Sequence, residues 1–180
     1  MSKKETMKNS IKRITINGIG VALFVVLSLC LQVPVFENYY LCLGYVVMAV
    51  YCYSAGILSG TFVGTAGVIL YCIIINGLRG MPGWSIGNIA IGLMIGTAFL
   101  LARKVRQTAL SMGIIVVGIV LACAVGILGI KSLTEVILYT QPFMVRVASN
   151  MSAFVADVIV LLVAVPVCKM LDPHVKKILD

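Results

Sequence analysis

The chain has 180 residues, 61% of them hydrophobic and 11% charged, with a formal net charge of +8. A soluble domain is about half apolar and about a quarter charged, so an ordinary soluble domain is excluded. Between Ile14 and Cys168 charge is almost absent. In a bilayer an element must satisfy its own backbone polar groups, so such runs form helices, and the fold class is an all-α integral membrane protein.

A spanning helix needs about 20 apolar residues. Residues 1–13 form a basic segment, and the first span runs from about Ile14 to Val33, stopping at Pro34. Glu37 and Asn38 fall in a short loop. The uncharged stretch from Tyr39 to Ile75 is too long for one crossing. A break near Ser54–Gly56 divides it into a short second span and a third that ends at Asn76. From Asn76 to Trp84 the punctuation by Gly and Pro reads as a loop. The fourth span covers about Ser85 to Ala102, followed by a loop with Arg103, Lys104 and Arg106. The fifth covers about Ala109 to Ile130. Lys131 to Arg146 reads as a longer, more polar connection. The sixth covers about Val147 to Cys168, and residues 169–180 form a charged tail. The whole chain, 1–180, is one six-helix membrane domain.

Six spans place both termini on one side, and charge selects which. Lys3, Lys4, Lys8, Lys12 and Arg13 flank the first span. Arg103, Lys104 and Arg106 lie in the fourth-to-fifth loop, and Lys169, Lys176 and Lys177 in the tail. Only Arg79, Lys131 and Arg146 fall opposite. Basic residues near span ends stay cytoplasmic, so both termini are expected in the cytoplasm. The positive charge then follows from topology and from attraction to anionic inner-leaflet lipid, and no nucleic acid is implied. The apolar run after Arg13 exceeds a signal-peptide core and lacks a small-residue cleavage site, so it reads as a retained helix.

Cys30, Cys42, Cys52, Cys72, Cys123 and Cys168 are scattered through the spans with no CxxC or His pairing. Small apolar filler is their expected role. The single histidine, His174, reads as a solvated tail residue. No P-loop, HExxH or GxSxG motif is present, so the sequence carries no ATPase or hydrolase signature of its own. No inverted repeat or intramembrane proton-relay chain is visible. The length suits one subunit of a larger assembly.

Small residues recur at a spacing of four: Gly56, Gly60 and Gly64; Gly92 and Gly96; Gly118, Ala122 and Gly126; Gly18 and Ala22. Such stripes let helix backbones approach closely in lipid. The inner stripes read as intramolecular packing, whereas the first-span pair could equally face a partner. Polar residues collect on the side opposite the termini. Glu37, Asn38, Tyr39 and Tyr40 lie in the first outer loop. Asn76, Arg79 and Trp84 lie in the second, with Asn88 one turn into the fourth span. Glu135, Tyr139, Gln141 and Arg146 lie in the third. Asn150 and Asp157, seven residues apart, share one face of the sixth helix. Asp157 is the only acidic residue expected inside a span, and an ionisable group there is a functional candidate. An interhelical hydrogen bond or ion pair is the competing role. The aromatic residues could simply form the interfacial belt. Together, aromatic walls with amide, carboxylate and guanidinium groups suit a planar polar heterocycle. The candidate substrate-binding residues are Arg79, Trp84, Asn88, Tyr139, Asn150, Asp157, Glu37 and Asn76.

The opening Asn17-Gly-Ile-Gly-Val-Ala-Leu-Phe24 after a basic N-terminus resembles the first helix of the S components of energy-coupling factor (ECF) vitamin transporters. The length and six spans are also similar. Pro82-Gly-Trp-Ser-Ile-Gly-Asn88 with Gly92 and Gly96 resembles the Trp-Ser segment and glycine-rich helix of the riboflavin-type branch. Glu135-Val-Ile-Leu-Tyr-Thr-Gln-Pro-Phe143 resembles that branch's outer loop before the last helix. The resemblance implies a non-catalytic subunit of the bacterial plasma membrane that captures a vitamin at the outer face. It implies, as partners, a transmembrane coupling protein and two ATPase subunits. Delivery would involve toppling of the whole S component. Gly18 and Ala22 match the family's AxxxA-like docking motif, with Gly for the first Ala. No cofactor is implied. Riboflavin, a thiamine precursor such as hydroxymethylpyrimidine, pyridoxine and a queuosine precursor all remain open as ligands. A membrane-embedded enzyme would need metal ligands or a nucleophile–base pair, and none is visible. A structural or regulatory subunit of another complex would not need the polar outer constellation.

Overall fold

The computed structural model describes residues 3–30, 34–36, 39–40, 42–76 and 82–179, with side chains for residues 11–30, 42–75 and 82–178. Helices dominate: α1 (Lys3–Cys30), α2 (Gly44–Ser54), α3 (Ile57–Asn76), α4 (Pro82–Lys104), α5 (Thr108–Cys123), a π-helical segment (Ala124–Lys131), α6 (Ser132–Tyr139) and α7 (Phe143–Leu179). Five stretches are long and apolar enough to cross a membrane. The second crossing expected from sequence is the exception, because α2 has only 11 residues. A helix of that length spans about 17 Å, well short of a ~30 Å hydrocarbon core.

Several boundaries differ from the sequence reading. α1 starts at Lys3, ahead of the apolar run, because its basic residues are good helix formers. Pro34–Phe36 (β1) and Tyr39–Tyr40 (β2) pair antiparallel where only a loop was expected. Pro82, Gly83 and Trp84 belong to the first turn of α4, since proline is well suited to a helix start. The supposed connection from Lys131 to Arg146 is mostly helical. α5, the π segment and α6 run on as one apolar stretch of 32 residues, Thr108–Tyr139. It ends at Thr140, which takes a left-handed conformation (φ 53°) and donates its N–H to Val136 O. α7 then begins after only two more residues. Asp157 is therefore not the only acidic residue in an apolar helix, because Glu135 lies in α6. α7 runs through the expected tail to Leu179, with Pro166 and Pro173 inside it.

The break near Ser54–Gly56 has a clear cause. Gly56 has a φ of +102°, which glycine adopts without steric penalty. Ala55 and Gly56 both donate to Tyr51 O, closing α2 before α3 starts.

α2 is the hub of the bundle. Eight of its residues are buried, among them Tyr45, Met48 and Tyr51, and it packs against α1, α3, α4 and α7. A helix apolar on every side belongs inside. The outer helices show the reverse pattern, with Ile73, Ile74, Val117 and Val163 exposed. In water these would be association patches. In a bilayer they meet acyl chains, so helix association rests on close packing more than on apolar burial.

Glycine supplies that packing. A Cβ on Gly60 would collide with Cys52, one on Gly64 with Met48, and one on Gly92 with Thr61. Gly96 abuts Ile57, and Gly118 abuts Ala98. Gly87 and Gly126 each face the other's carbonyl oxygen. Gly18 has nothing within 4 Å of a built Cβ, and Ala22 is exposed. The inner stripes are thus internal packing, apart from Gly56, which caps a helix. The α1 stripe faces outward. Five of the six cysteines are buried, and Cys30 is exposed.

These contacts set a stability test. Gly87→Leu drives a side chain into the backbone of Gly126. It should cost about 1–3 kcal/mol or more, the usual penalty of overpacking. Gly113→Ala has open space and should change stability by no more than about 1 kcal/mol, in the favourable direction of helix propensity. Thermal unfolding of the detergent-solubilised variants measures both.

Candidate functional site

The polar side chains expected to act together meet where the first turns of α2 and α4 approach the π segment, α6 and α7. α4 supplies Trp84 and Asn88, one helical turn apart. The indole Nε1–H of Trp84 donates to the Tyr45 hydroxyl at 2.9 Å. The Asp157 side chain, buried on α7, interacts with Tyr45. Trp84, Tyr45 and Asp157 thus come together from three helices. The ring of Tyr71 meets Trp84 edge-on, with centroids 5.8 Å apart, and Phe24 meets Tyr45 in a similar way at 6.1 Å.

Asn88 is fully buried. Its Nδ2 donates to Trp84 O at 2.9 Å. Its Oδ1 has no hydrogen-bond partner among the described residues. A buried amide oxygen left unpaired is costly; Ser54 Oγ, Thr61 Oγ1, Thr65 Oγ1 and Arg146 Nε are buried without a hydrogen-bond partner as well.

Asn150 and Asp157 are both buried on α7, as their seven-residue spacing predicts. Asn150 Nδ2 donates to Ser132 Oγ and to Glu135 Oε2, each at 3.0 Å. The Lys131 ammonium lies 4.0 Å from Glu135 Oε1, and the Arg146 guanidinium 3.9 Å from Glu135 Oε2. Lys131 also interacts through charge with Asp157. The cluster therefore holds two formal cations and two formal anions within one buried region, an arrangement that avoids an uncompensated charge. Tyr139 is about half exposed, and the Arg146 guanidinium sits 5.3 Å over its ring.

The π segment explains why Lys131 points in. Bonding from i to i+5 shifts the buried face by one position relative to an α-helix. Gly126 and Ile127 are buried, and so are Lys131 and Ser132. Ser132 Oγ donates back to Ile127 O at 3.2 Å. A Cβ on Gly83 would touch the Lys131 backbone oxygen at 3.0 Å, so Lys131 lies directly beside the start of α4.

Of the residues singled out from sequence, Trp84 and Asp157 both approach Tyr45, with Asn88 bound to the Trp84 carbonyl. Asn150 joins the adjacent cluster through Glu135. Tyr139 lies at its edge. Asn76 closes α3, but its side chain lies outside the described set, and Glu37 and Arg79 lie outside the described residues altogether. Sequence reasoning missed Tyr45 and Lys131 as site residues. Tyr45 sits 39 positions from Trp84, and only the fold pairs them. Lys131 gave a usable signal, since a lysine directly after an apolar run of this length is unusual inside a helix.

Among the described residues no group of three or more His, Cys, Asp or Glu side chains is placed to hold a metal ion. The arrangement gathers hydrogen-bond donors, acceptors and aromatic faces in one region.

Comparison with known proteins gives a family. The model of the family described as "ECF-type riboflavin transporter, S component" matches residues 8–172. A UPF0397 protein from Lactococcus lactis subsp. cremoris (strain SK11) is 34% identical over 100 residues, covering 53% of this chain and 52% of that protein. The chain thus aligns with about half the length of that curated relative. No solved structure matches significantly. With most of the chain matched and its apolar helices in place, the chain is a multi-pass membrane protein that belongs to the ECF-type riboflavin transporter S component family.

Proposed function

We propose that the chain is the substrate-capture subunit of an ATP-driven vitamin uptake transporter in the bacterial plasma membrane. It binds a small heterocyclic vitamin and passes it on through a transmembrane coupling protein served by two ATPase subunits. The subunit itself is non-catalytic. The observation that carries this reading is the Trp84–Tyr45 hydrogen bond, gathered with the buried Asp157 and beside an Asn88 Oδ1 that has no hydrogen-bond partner among the described residues. Polar groups are expensive in a membrane interior and are retained where they serve a ligand or a partner. Riboflavin is the first ligand to test, because the family description names it. A thiamine precursor, pyridoxine and a queuosine precursor complete the panel.

In this reading Trp84, Asn88, Asn150 and Asp157 face the ligand, and Tyr139, Arg79, Glu37 and Asn76 are further ligand contacts. The aromatic faces cover a planar ring, and the amides and carboxylate meet its heteroatoms. Asn88→Ala removes a buried partner and should weaken riboflavin binding roughly tenfold to a hundredfold while leaving the fold intact. Calorimetry on the purified chain reads the affinity. An unchanged value would remove Asn88 from the site.

The same reading has the termini in the cytoplasm and the site opening outward, as the basic residues favour. In a variant stripped of its natural cysteines, a cysteine at position 80 should react with an impermeant maleimide added outside the cell. One at position 107 should not. The reverse pattern would invert the topology.

Gly18 and Ala22 are proposed as the docking surface for the coupling protein. Their exposure on α1, in line with Ile11, Ile14 and Val26, supports it. Bulk there blocks close helix approach. Ala22→Trp should abolish uptake yet leave ligand binding by the isolated chain within about twofold, since the site lies elsewhere. Joint loss of binding and uptake would assign the stripe to the chain's own packing.

A further inference from the structure

Lys131 is buried, with 8% of its surface exposed, yet its ammonium makes no hydrogen bond among the described residues. The Glu135 Oε1 oxygen stands 4.0 Å from it, beyond hydrogen-bond reach. The Glu135 carboxylate is engaged elsewhere, its Oε2 accepting from Asn150 Nδ2. An ammonium carries three donors and no acceptor. Two nearby carboxylates compensate its charge without using those donors. A lysine that served only to neutralise Asp157 or Glu135 would gain more by closing to a direct charge-assisted hydrogen bond. Instead the π segment holds its backbone against Gly83, next to Trp84.

We propose that Lys131 is a specificity-determining residue of the capture site, donating from its ammonium to a carbonyl-type oxygen of the bound heterocycle. The inference rests on the capture reading above and adds to it the chemistry of one ligand edge. Asn88 Oδ1, also unpartnered, supplies an acceptor for the same ligand. Together they call for a ring that presents a carbonyl oxygen and an N–H, as the pyrimidinedione edge of riboflavin does.

The test uses the full chain in lipid nanodiscs with riboflavin as probe. Binding is read by calorimetry and by quenching of the single tryptophan, Trp84. Four proteins are compared: wild type, Lys131→Met, Asp157→Asn, and the double variant. Lys131→Met should bind riboflavin roughly tenfold to a hundredfold more weakly than wild type. The double variant removes one charge of each sign and covers the case in which Lys131→Met alone fails to fold. It should melt at or above Lys131→Met, yet bind at least tenfold more weakly than Asp157→Asn alone. If the double variant binds as well as Asp157→Asn, or Lys131→Met binds as wild type does, Lys131 only balances charge and the proposal is overturned. Wild-type chain that binds neither riboflavin, hydroxymethylpyrimidine, pyridoxine nor a queuosine precursor would instead sink the capture reading, and the role of Lys131 with it.

Discussion

Everything polar in this molecule answers to one constraint: acyl chains cannot satisfy a hydrogen bond. A buried polar group in a membrane protein must find its partner in the protein, in trapped water or in a ligand. Among the described residues Asn88, Lys131, Ser132, Asn150 and Asp157 are gathered around the start of α4, while the buried Ser28 and Thr61 lie apart from them on α1 and α3. Trp84 holds Tyr45, and Asn150 holds Ser132 and Glu135. The rest of the bundle is sealed by glycine, with Gly60, Gly64, Gly92 and Gly96 letting α2, α3 and α4 close on one another. The two features are linked. Gly83 and Gly87 on one face of α4 let the π segment approach backbone to backbone, and that approach carries Lys131 and Ser132 up to the polar groups there. A larger residue at Gly87 would separate the groups that the site requires to be close.

The π segment has a second consequence. An α-helix from Thr108 to Tyr139 would keep one face inward throughout. A single stretch of wider winding shifts that face, and π turns of this kind are frequent at functional sites. The change falls between Cys123, buried in the apolar core, and Ser132, buried in the polar cluster. One continuous helix thereby presents apolar side chains to the packing region and charged ones to the site. Gly126 and Gly129 lie within the segment, where their low helix propensity makes departure from α geometry less costly.

Much of the architecture was legible because its causes are local. Apolar runs of the right length, the glycine that ends α2 and the seven-residue spacing of Asn150 and Asp157 can all be read along the chain. What was not legible depends on partners distant in sequence or on a change of helical period. Lys131, Thr134 and Glu135 interrupt the apolar run and so suggested a loop, but α6 is helical because those groups find one another, Ser132 and Asn150 in the interior. Glu135 reaches back four residues to Lys131 and out to Arg146 and Asn150. Tyr45 read as one more aromatic in an apolar helix. Its hydroxyl matters only because α4 and α7 bring Trp84 and Asp157 to it. α2 was expected to be short, and its shortness is what lets Tyr45, near its first turn, meet the polar region while Tyr51 reaches Ile16 O on α1.

The two ends of the bundle use charge differently. At the other end Arg103 lies over the Tyr53 ring at 4.1 Å and pairs with Asp172 at 3.3 Å, and Lys176 pairs with Asp172 at 2.6 Å. Arg103 and Lys176 are each a third to a half exposed. Such pairs are worth about 0–1 kcal/mol each and tie α2, α4 and α7 together without much dependence on geometry. The cluster around Asp157 is almost sealed, so each of its members depends on the others being in place, and removal of one leaves another unsatisfied. That interdependence is poor design for stability alone, where apolar side chains would serve as well or better. Among the described residues Asn88 Oδ1 and Arg146 Nε are left without a hydrogen-bond partner in this region, and under the capture reading proposed above a ligand would complete the set.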